Sequence, residues 1–276
     1  EGLLNGEIVN KKIIVDDTEI KNNEIFSTNK INGDVNLYNY ITSANSTITD
    51  IKTQGLFIVN TGLFTNTLIN FYNTDNFSPI KTVDGFGVNG NSGFCACYNI
   101  DQSFKWVMRL EATNIKEIKV EVDESYIYVY GVSTEISMYD IDGTKHTTDF
   151  NTSINGIFVF KCTYDGYVEL VITIPVVNIF GTVFLSVSDC LYLLYSITQS
   201  VWFRYNLIIY NKLGAFIDNE LIISTQTDNN MSITTIKTDN TQIFISVDFT
   251  GAITYTDGSS NTSNGDLNIN IIEYNL

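Results

Sequence analysis

The chain has 276 residues, a formal net charge of −16 and 44% hydrophobic residues. A field of that sign repels nucleic acid and anionic membrane surfaces, so neither is an expected partner. Cationic proteins, metal ions and neutral ligands such as glycans remain open to it, and the acid groups keep a β-rich surface soluble.

Tyr and Phe number 16 and 17, whereas Pro occurs only 2 times. Together with recurrent Ile, Val and Thr, these residues suit a pleated, half-buried surface. No window carries apolar residues at helical spacing, so the expectation is an all-β fold with almost no helix. The sequence starts at Glu1 without Met, which reads as processing or as a fragment, and it shows no signal-peptide pattern. The most apolar stretch, Val176 to Tyr210, is broken by Ser186, Ser188, Asp189, Gln199 and Arg204. It reads as several buried strands, and no membrane insertion is expected.

In chain order, Ile8 to Asp17 reads as a strand, and Val35 to Thr42 as an early strand with Tyr38 near its centre. Phe57 to Gly62, FIVNTG, follows. Phe94 to Leu110 then reads as strand, polar turn, strand, and Phe158 to Ile174 aligns with it without a gap 64 residues later (94 to 158). This hairpin is the head of a repeat. A second pattern is the tail strand: Val122-Asp123 then YIYVYG from Tyr126, Val187-Ser188 then LYLLYS from Leu191, and Thr238-Asp239 then QIFISV from Gln242. Phe57 to Gly62 belongs to the same set. Leu207 to Ile217 is a further head, and Leu267 to Leu276 is the first strand of a head that does not complete. With Tyr38, Tyr98, Cys162, Tyr210 and Tyr274 as markers, the intervals are 60, 64, 48 and 64 residues. Turns are expected at Asp75-Asn76, Asp142-Gly143, Asp165-Gly166, Leu213-Gly214 and Asp257-Gly258.

Repeats of this length hold four or five short strands, which suits a single β-propeller domain over residues 1–276, with about four to five blades of antiparallel sheet. Repeats would start near 38, 98, 162 and 210, with a partial one at 267–276. Pairing of the C-terminal strand with Ile8 to Asp17 would close the ring and remove its open edge.

The order of these motifs resembles the SBBP-type repeat family of seven-bladed β-propellers, through Tyr98-Asn99 with Trp106, Lys161 with Asp165-Gly166, Val122-Asp123, and Tyr128 to Gly131. Most units lack the Trp, and Val187 is followed by Ser188 where the family has Asp. Such repeats occur in bacterial surface proteins and in large DNA viruses of amoebae. The resemblance implies a propeller with a binding or structural role and no catalytic residues. The expected setting is a virion, as part of a larger particle, or alternatively a cell surface with a protein or glycan partner.

No enzyme chemistry and no cofactor are expected. His146 is the only histidine and reads as a solvated loop residue, with no nucleophile-elbow motif beside it. Asp140 and Asp142 alternate before Gly143 in the manner of a calcium loop, but lack the later bidentate Glu, so they read as exposed turn charges. Cys95, Cys97, Cys162 and Cys190 lack zinc-site spacing and read as buried thiols. Sequons at Asn45, Asn76, Asn151, Asn230 and Asn261 follow from an Asn-, Ser- and Thr-rich composition. Trp106 reads as core, and Trp202 as packed on one face with the other open. The candidate partner contacts are Asp140, Asp142, His146, Trp202 and Asp257, on loops near Asp140 to Thr148 and Asp257 to Gly265.

Overall fold

The computed structural model describes residues 14–15, 18–19, 24–31, 34–42, 46–65, 68–72, 79–85, 91–101, 103–149, 155–176, 178–179, 181–200, 202–226, 231–238, 242–255, 258–263 and 268–275. Every regular element among them is a β-strand, and every strand pairing is antiparallel. The protein is therefore all-β.

The head and tail motifs are hairpins. Three tail hairpins are β5–β6 (Ser46–Gln54, Phe57–Phe64), β11–β12 (Ile115–Val122, Tyr126–Ser133) and β17–β18 (Phe184–Val187, Cys190–Gln199), and the fourth is β21–β22 (Met231–Thr238, Gln242–Phe249). Each tail motif lies on the second strand of its hairpin. The heads are β9–β10 (Asn91–Asn99, Phe104–Ala112), β15–β16 (Gly156–Thr163, Val168–Ile174) and β19–β20 (Trp202–Asn211, Phe216–Gln226). The last head is the single strand β25 (Asn268–Asn275). Tail and head join edge to edge, so that β5-β6-β9-β10, β11-β12-β15-β16 and β17-β18-β19-β20 are each a run of four neighbouring strands.

Between tail and head the chain makes a further hairpin, which leaves its own sheet. These inserts are β7–β8 (Leu68–Tyr72, Lys81–Asp84), β13–β14 (Ile136–Tyr139, Lys145–Thr147) and β23–β24 (Ala252–Tyr255, Ser260–Thr262). Each pairs with the outer strand of the preceding sheet. β13 joins β10, β23 joins β20, and β7 joins β4 (Asp34–Thr42) beside β3 (Glu24–Ile31). Between β18 and β19 there is no insert. Gln199 pairs with Trp202 across a two-residue turn in which Ser200 has φ 55°. The 48-residue interval from Cys162 to Tyr210 is the one without its insert.

One sequence expectation needs correction, and the expected closure falls outside the described residues. Val35 to Thr42 is the second strand of its hairpin, the one that accepts an insert, so Tyr38 is not equivalent to Tyr98. The C-terminal strand pairs along its length with β22, from Gln242↔Asn275 to Phe249↔Asn268. Its expected partner, Ile8 to Asp17, lies outside the described residues except β1 (Ile14–Val15), which pairs with β2 (Thr18–Glu19). The Asp75-Asn76 turn also lies outside them.

The chain divides into two compact units. One comprises Glu1–Val129, Ile136–Thr148 and Phe160–Glu169, and the other Tyr130–Glu135, Asp149–Val159 and Leu170–Leu276. In the first unit both faces of the β6-β9-β10 sheet are dry. One face sets Ile58, Phe94 and Tyr98 against Ile69 and Phe71 of insert strand β7. The other buries Val59, Cys97 and Met108. In the second unit Leu194, Leu207 and Ile223 pack against Ile236, Ile243 and Val247 of the β21-β22-β25 sheet.

Four hairpins close through the same turn, in which residue i accepts from a glycine N–H at i+3 and donates to the carbonyl of i+4. The glycines are Gly143, Gly166, Gly214 and Gly258, with φ from 82° to 91°. This left-handed position excludes side chains at low cost. Around Gly166 there is also no room: an added Cβ would lie 2.5 Å from Ile141 Cγ2 and 3.3 Å from the Trp106 ring, whereas around Gly143 it would meet nothing within 4 Å. Gly143→Ala should therefore cost only the backbone strain, about 1–2 kcal/mol. Gly166→Ala should cost clearly more. Urea unfolding of the two variants measures the difference, and equal midpoints would remove the packing argument.

Candidate interaction surface

At one end of the first unit, the turns of five hairpins are bonded to one another. Tyr164, in the β15–β16 turn, is their hub. Its carbonyl accepts from Lys105 Nζ at 2.7 Å and from Trp106 Nε1 at 2.8 Å, and its hydroxyl donates to the Asp123 carbonyl at 2.8 Å. Its ring stacks on Phe57 with centroids 4.7 Å apart, and Lys105 Nζ sits 4.6 Å from the centre of the Phe57 ring. Ile100 N–H donates to the Leu56 carbonyl at 2.7 Å, and Ile141 N–H to the Gly166 carbonyl at 3.2 Å. The backbone of this end is thus pinned by side chains from neighbouring sheets.

The pinned turns present a mixed surface. Leu56, Ile141 and Tyr167 are exposed at 68%, 46% and 41%, large values for apolar side chains that a folding chain would otherwise cover. Exposed carboxylates stand beside them: Asp101, Glu124, Asp142 and Asp165. Asp101 and Asp142 are held below the usual carboxylate range, Asp101 by the Ser103 hydroxyl and Asp142 by the Thr144 backbone N–H, so both are charged at neutral pH. Lys105 pairs with Asp165 at 3.0 Å.

The sequence-derived contact residues separate here. Asp142 is exposed and caps its own turn through Thr144 N–H at 2.9 Å. Asp140 is buried, which corrects its reading as an exposed turn charge. Its Oδ1 accepts from Val168 N–H at 2.8 Å, and its Oδ2 lies 3.0 Å from His146 Nε2. His146 is accordingly a half-buried residue of strand β14, not a solvated loop residue, and Asp140 is a clamp between hairpins. Both its oxygens are engaged by protein groups, which disfavours the calcium-loop alternative, and the described residues contain no group of three or more His, Cys, Asp or Glu fit to hold a metal ion. Lys145–Thr147 and Ser260–Thr262 are strands where long contact loops were expected. Trp202 begins β19 half-buried, and Asp257 lies outside the described residues. Trp106 is buried, its indole N–H satisfied by Tyr164.

All four cysteines are free thiols, and Cys95, Cys97 and Cys162 are buried. Burial pushes the Cys97 thiol up to about 12 and raises those of Cys95 and Cys162 as well. None of the three supplies a thiolate nucleophile at neutral pH.

One carboxylate couples two sheets. Asp50 in β5 accepts from its neighbour Ile51 N–H at 2.9 Å and from Val120 N–H of β11 at 3.2 Å. Lys52 and Glu121 pair beside it at 3.1 Å. Desolvation raises the Asp50 carboxyl above the usual range, and the Lys52 charge and the two N–H bonds only partly offset it.

Comparison of the sequence with protein-family models and with curated proteins returns no match to either.

Two predictions follow from this geometry. Asp140→Ala leaves the buried Val168 N–H unpaired and should cost about 1–3 kcal/mol, while Asp142→Ala leaves the unfolding midpoint within error. Equal effects in chemical denaturation would show that the clamp is idle. For Asp50, the folded chain binds the carboxyl proton more tightly than the unfolded chain does. Its contribution thus favours the fold at low pH and is lost as pH rises through the raised folded value. The stability of the wild type relative to Asp50→Asn should fall as pH rises from about 4, the ordinary carboxylate value; a flat or rising difference contradicts the assignment.

Proposed function

We propose that this chain is a non-catalytic interaction and structural protein that docks other proteins through the pinned turn surface of its first unit. The observation that carries the reading is the Tyr164 hub. Together with the Ile100–Leu56 and Ile141–Gly166 backbone bonds, it ties five turns to one another and leaves Leu56, Ile141 and Tyr167 open between carboxylates. Pre-arranged loops carrying exposed apolar side chains are what a binding surface needs, because little conformational entropy is then lost on association. The acidic surround favours a cationic partner and makes its association weaken with salt.

The scaffold we propose for this role is a propeller. It is supported by four-strand runs built from tail and head hairpins, and by a sheet that buries both faces. Each run then corresponds to a blade, and each insert extends the blade before it. Assembly into a virion, the setting implied by the resemblance to SBBP-type repeats, is the corresponding biological proposal. A glycan-binding surface protein is the second reading, favoured by the exposed Tyr167 ring.

Co-expression with the products of neighbouring genes, followed by affinity capture at low salt, tests the reading. A retained protein that is released by salt, and is not retained by the Leu56→Ser, Ile141→Ser double variant, is the expected result. If instead a glycan array gives saturable binding that the double variant loses, the glycan reading replaces it. Capture indifferent to both salt and the double variant rejects this surface.

A further inference from the structure

The missing insert leaves a defined place in the second unit. In the repeat headed by β9–β10, the insert covers the head: Phe71 of β7 lies 6.0 Å from the Phe104 ring, and Phe104 in turn meets Tyr98 edge-on at 5.4 Å. In the repeat headed by β15–β16, insert β13–β14 does the same. Ile141 covers Gly166, and Asp140 takes the Val168 N–H. The aligned position in β19–β20 is Phe216, which meets Tyr210 edge-on at 5.8 Å as Phe104 meets Tyr98. Among the described residues nothing replaces the insert here. Phe216 is 58% exposed, and Leu213 and Ile217 beside it are exposed at 83% and 51%.

Among the described residues, the strand edge to which that insert would have added is also open. β10 and β20 each pair with an insert strand, whereas β16 ends the order of its sheet among the described residues. β16 stops at Ile174, before Pro175. Aligned at the head offset of 64 residues, Pro175 stands where β10 has Glu111, which pairs with Ser137 of the insert. Proline lacks the N–H that would continue the ladder, so it limits how far a strand can extend along this edge. Leu170 of β16 lies against Gly214, where an added Cβ would come within 2.8 Å of it, so edge and hairpin tip form one surface.

We propose that the outer edge of β16 at Thr173 and Ile174, the positions aligned with the insert-pairing Arg109 and Leu110 of β10, together with Leu213, Phe216 and Ile217 of the β19–β20 tip, is a docking site for a β-hairpin donated by another protein. The sister repeats show what this place takes: an antiparallel hairpin with one aromatic or branched apolar side chain over the head. Charge identifies the donor further. Asp218 and Glu220 follow Phe216 on the same strand, and burial together with Asp218 holds the Glu220 carboxyl above its ordinary range. A basic flank on the incoming hairpin would relieve that crowding. A second copy of this chain, itself at −16, would add to it. The donor is therefore a different, basic chain that adds its strand to the edge and seats its apolar residue on Phe216.

The chain's own insert supplies a probe. A head-to-tail cyclised peptide of residues 136–148, with Asp142→Lys to make its flank basic, is titrated into the intact protein by calorimetry and by heteronuclear NMR. The expected result is saturable one-to-one binding, weakened at least tenfold in Phe216→Ser and in Leu213→Ser, unchanged in Leu56→Ser, and weakened by salt. Both site variants alter exposed side chains and should melt with the wild type. Leu56 belongs to the turn surface of the first unit, so the control separates failure of this site from failure of that one. Absence of saturable binding up to about millimolar peptide, the weakest affinity of interest, overturns the proposal, as does binding that the two site variants leave unchanged. Sedimentation gives the remaining outcome: a concentration-dependent dimer abolished by Phe216→Ser would make a second copy the occupant and overturn the assignment of a basic partner.

Discussion

The pairing of an inserted hairpin with the outer strand of the preceding sheet is the interaction on which the rest of this structure depends. A meander of four strands has two apolar faces and two open edges, and it cannot satisfy them alone. One insert serves both needs at once. Its backbone completes the ladder of the sheet behind it, as β13 does along Arg109 to Ala112. Its side chains cover the head of its own repeat, as Ile141 does over Gly166 and Phe71 does beside Phe104. Edge and face are thereby coupled, so neither can be lost without exposing the other. This also explains why the turns needed such close specification. A hairpin that must dock on two neighbours has little freedom in its tip, and glycines at positive φ fix that tip without a protruding Cβ.

Much of this was legible in the sequence, and what was not has identifiable causes. The heads and tails announced themselves because nearly all of their strands are seven or more residues long and rich in Tyr, Phe, Val and Ile, with an Asp-Gly or Leu-Gly turn in two of the head hairpins. The inserts did not. Ile136–Tyr139 and Lys145–Thr147 are four and three residues long, too short to show a period of two, and their polar turn looks like a loop. Reading them as a loop led directly to reading Asp140 as a surface charge. Its real partner, the Val168 N–H, is 28 residues away and lies on the head hairpin, a contact that only the pairing of an unrecognised strand could reveal. The unequal interval was the available clue. Forty-eight residues against sixty-four is a difference about the length of one hairpin, the insert that this repeat lacks. Tyr38 failed for another reason: both strands of a head hairpin are aromatic-rich, so composition does not separate the first from the second.

Charge is distributed in a way that composition alone understates. The net −16 is not spread evenly between interior and surface. Buried Asp140 and half-buried Asp50 join strands of different sheets through backbone N–H groups. Asp101, Asp142 and Asp165 remain outside on turn tips. The sparse cations are used locally. Lys105 ties Phe57, Tyr164 and Asp165 together, and Lys161 lies 3.6 Å from the centre of the Tyr126 ring. These lysines are structural pins, so the acidic tips are left to act on the surroundings.

An open edge flanked by exposed apolar residues is normally an aggregation hazard, and natural sheets suppress it with charge, proline or short strands. This chain applies all three where its repeat pattern breaks. β16 is seven residues long, Pro175 stops it, and Asp218 and Glu220 stand beyond the apolar tip. Yet the tip itself, Leu213, Phe216 and Ile217, was left apolar, although nothing in the second unit covers it among the described residues. A surface guarded against indiscriminate pairing but still carrying its hydrophobic anchor has the properties of a selective site. Like-charged strands are turned away, extension is limited to a few residues, and a chain with the opposite charge still finds apolar area to bury. Loss of the insert thus converts an internal joint of the fold into an external one, using the same pairing that holds the other repeats together.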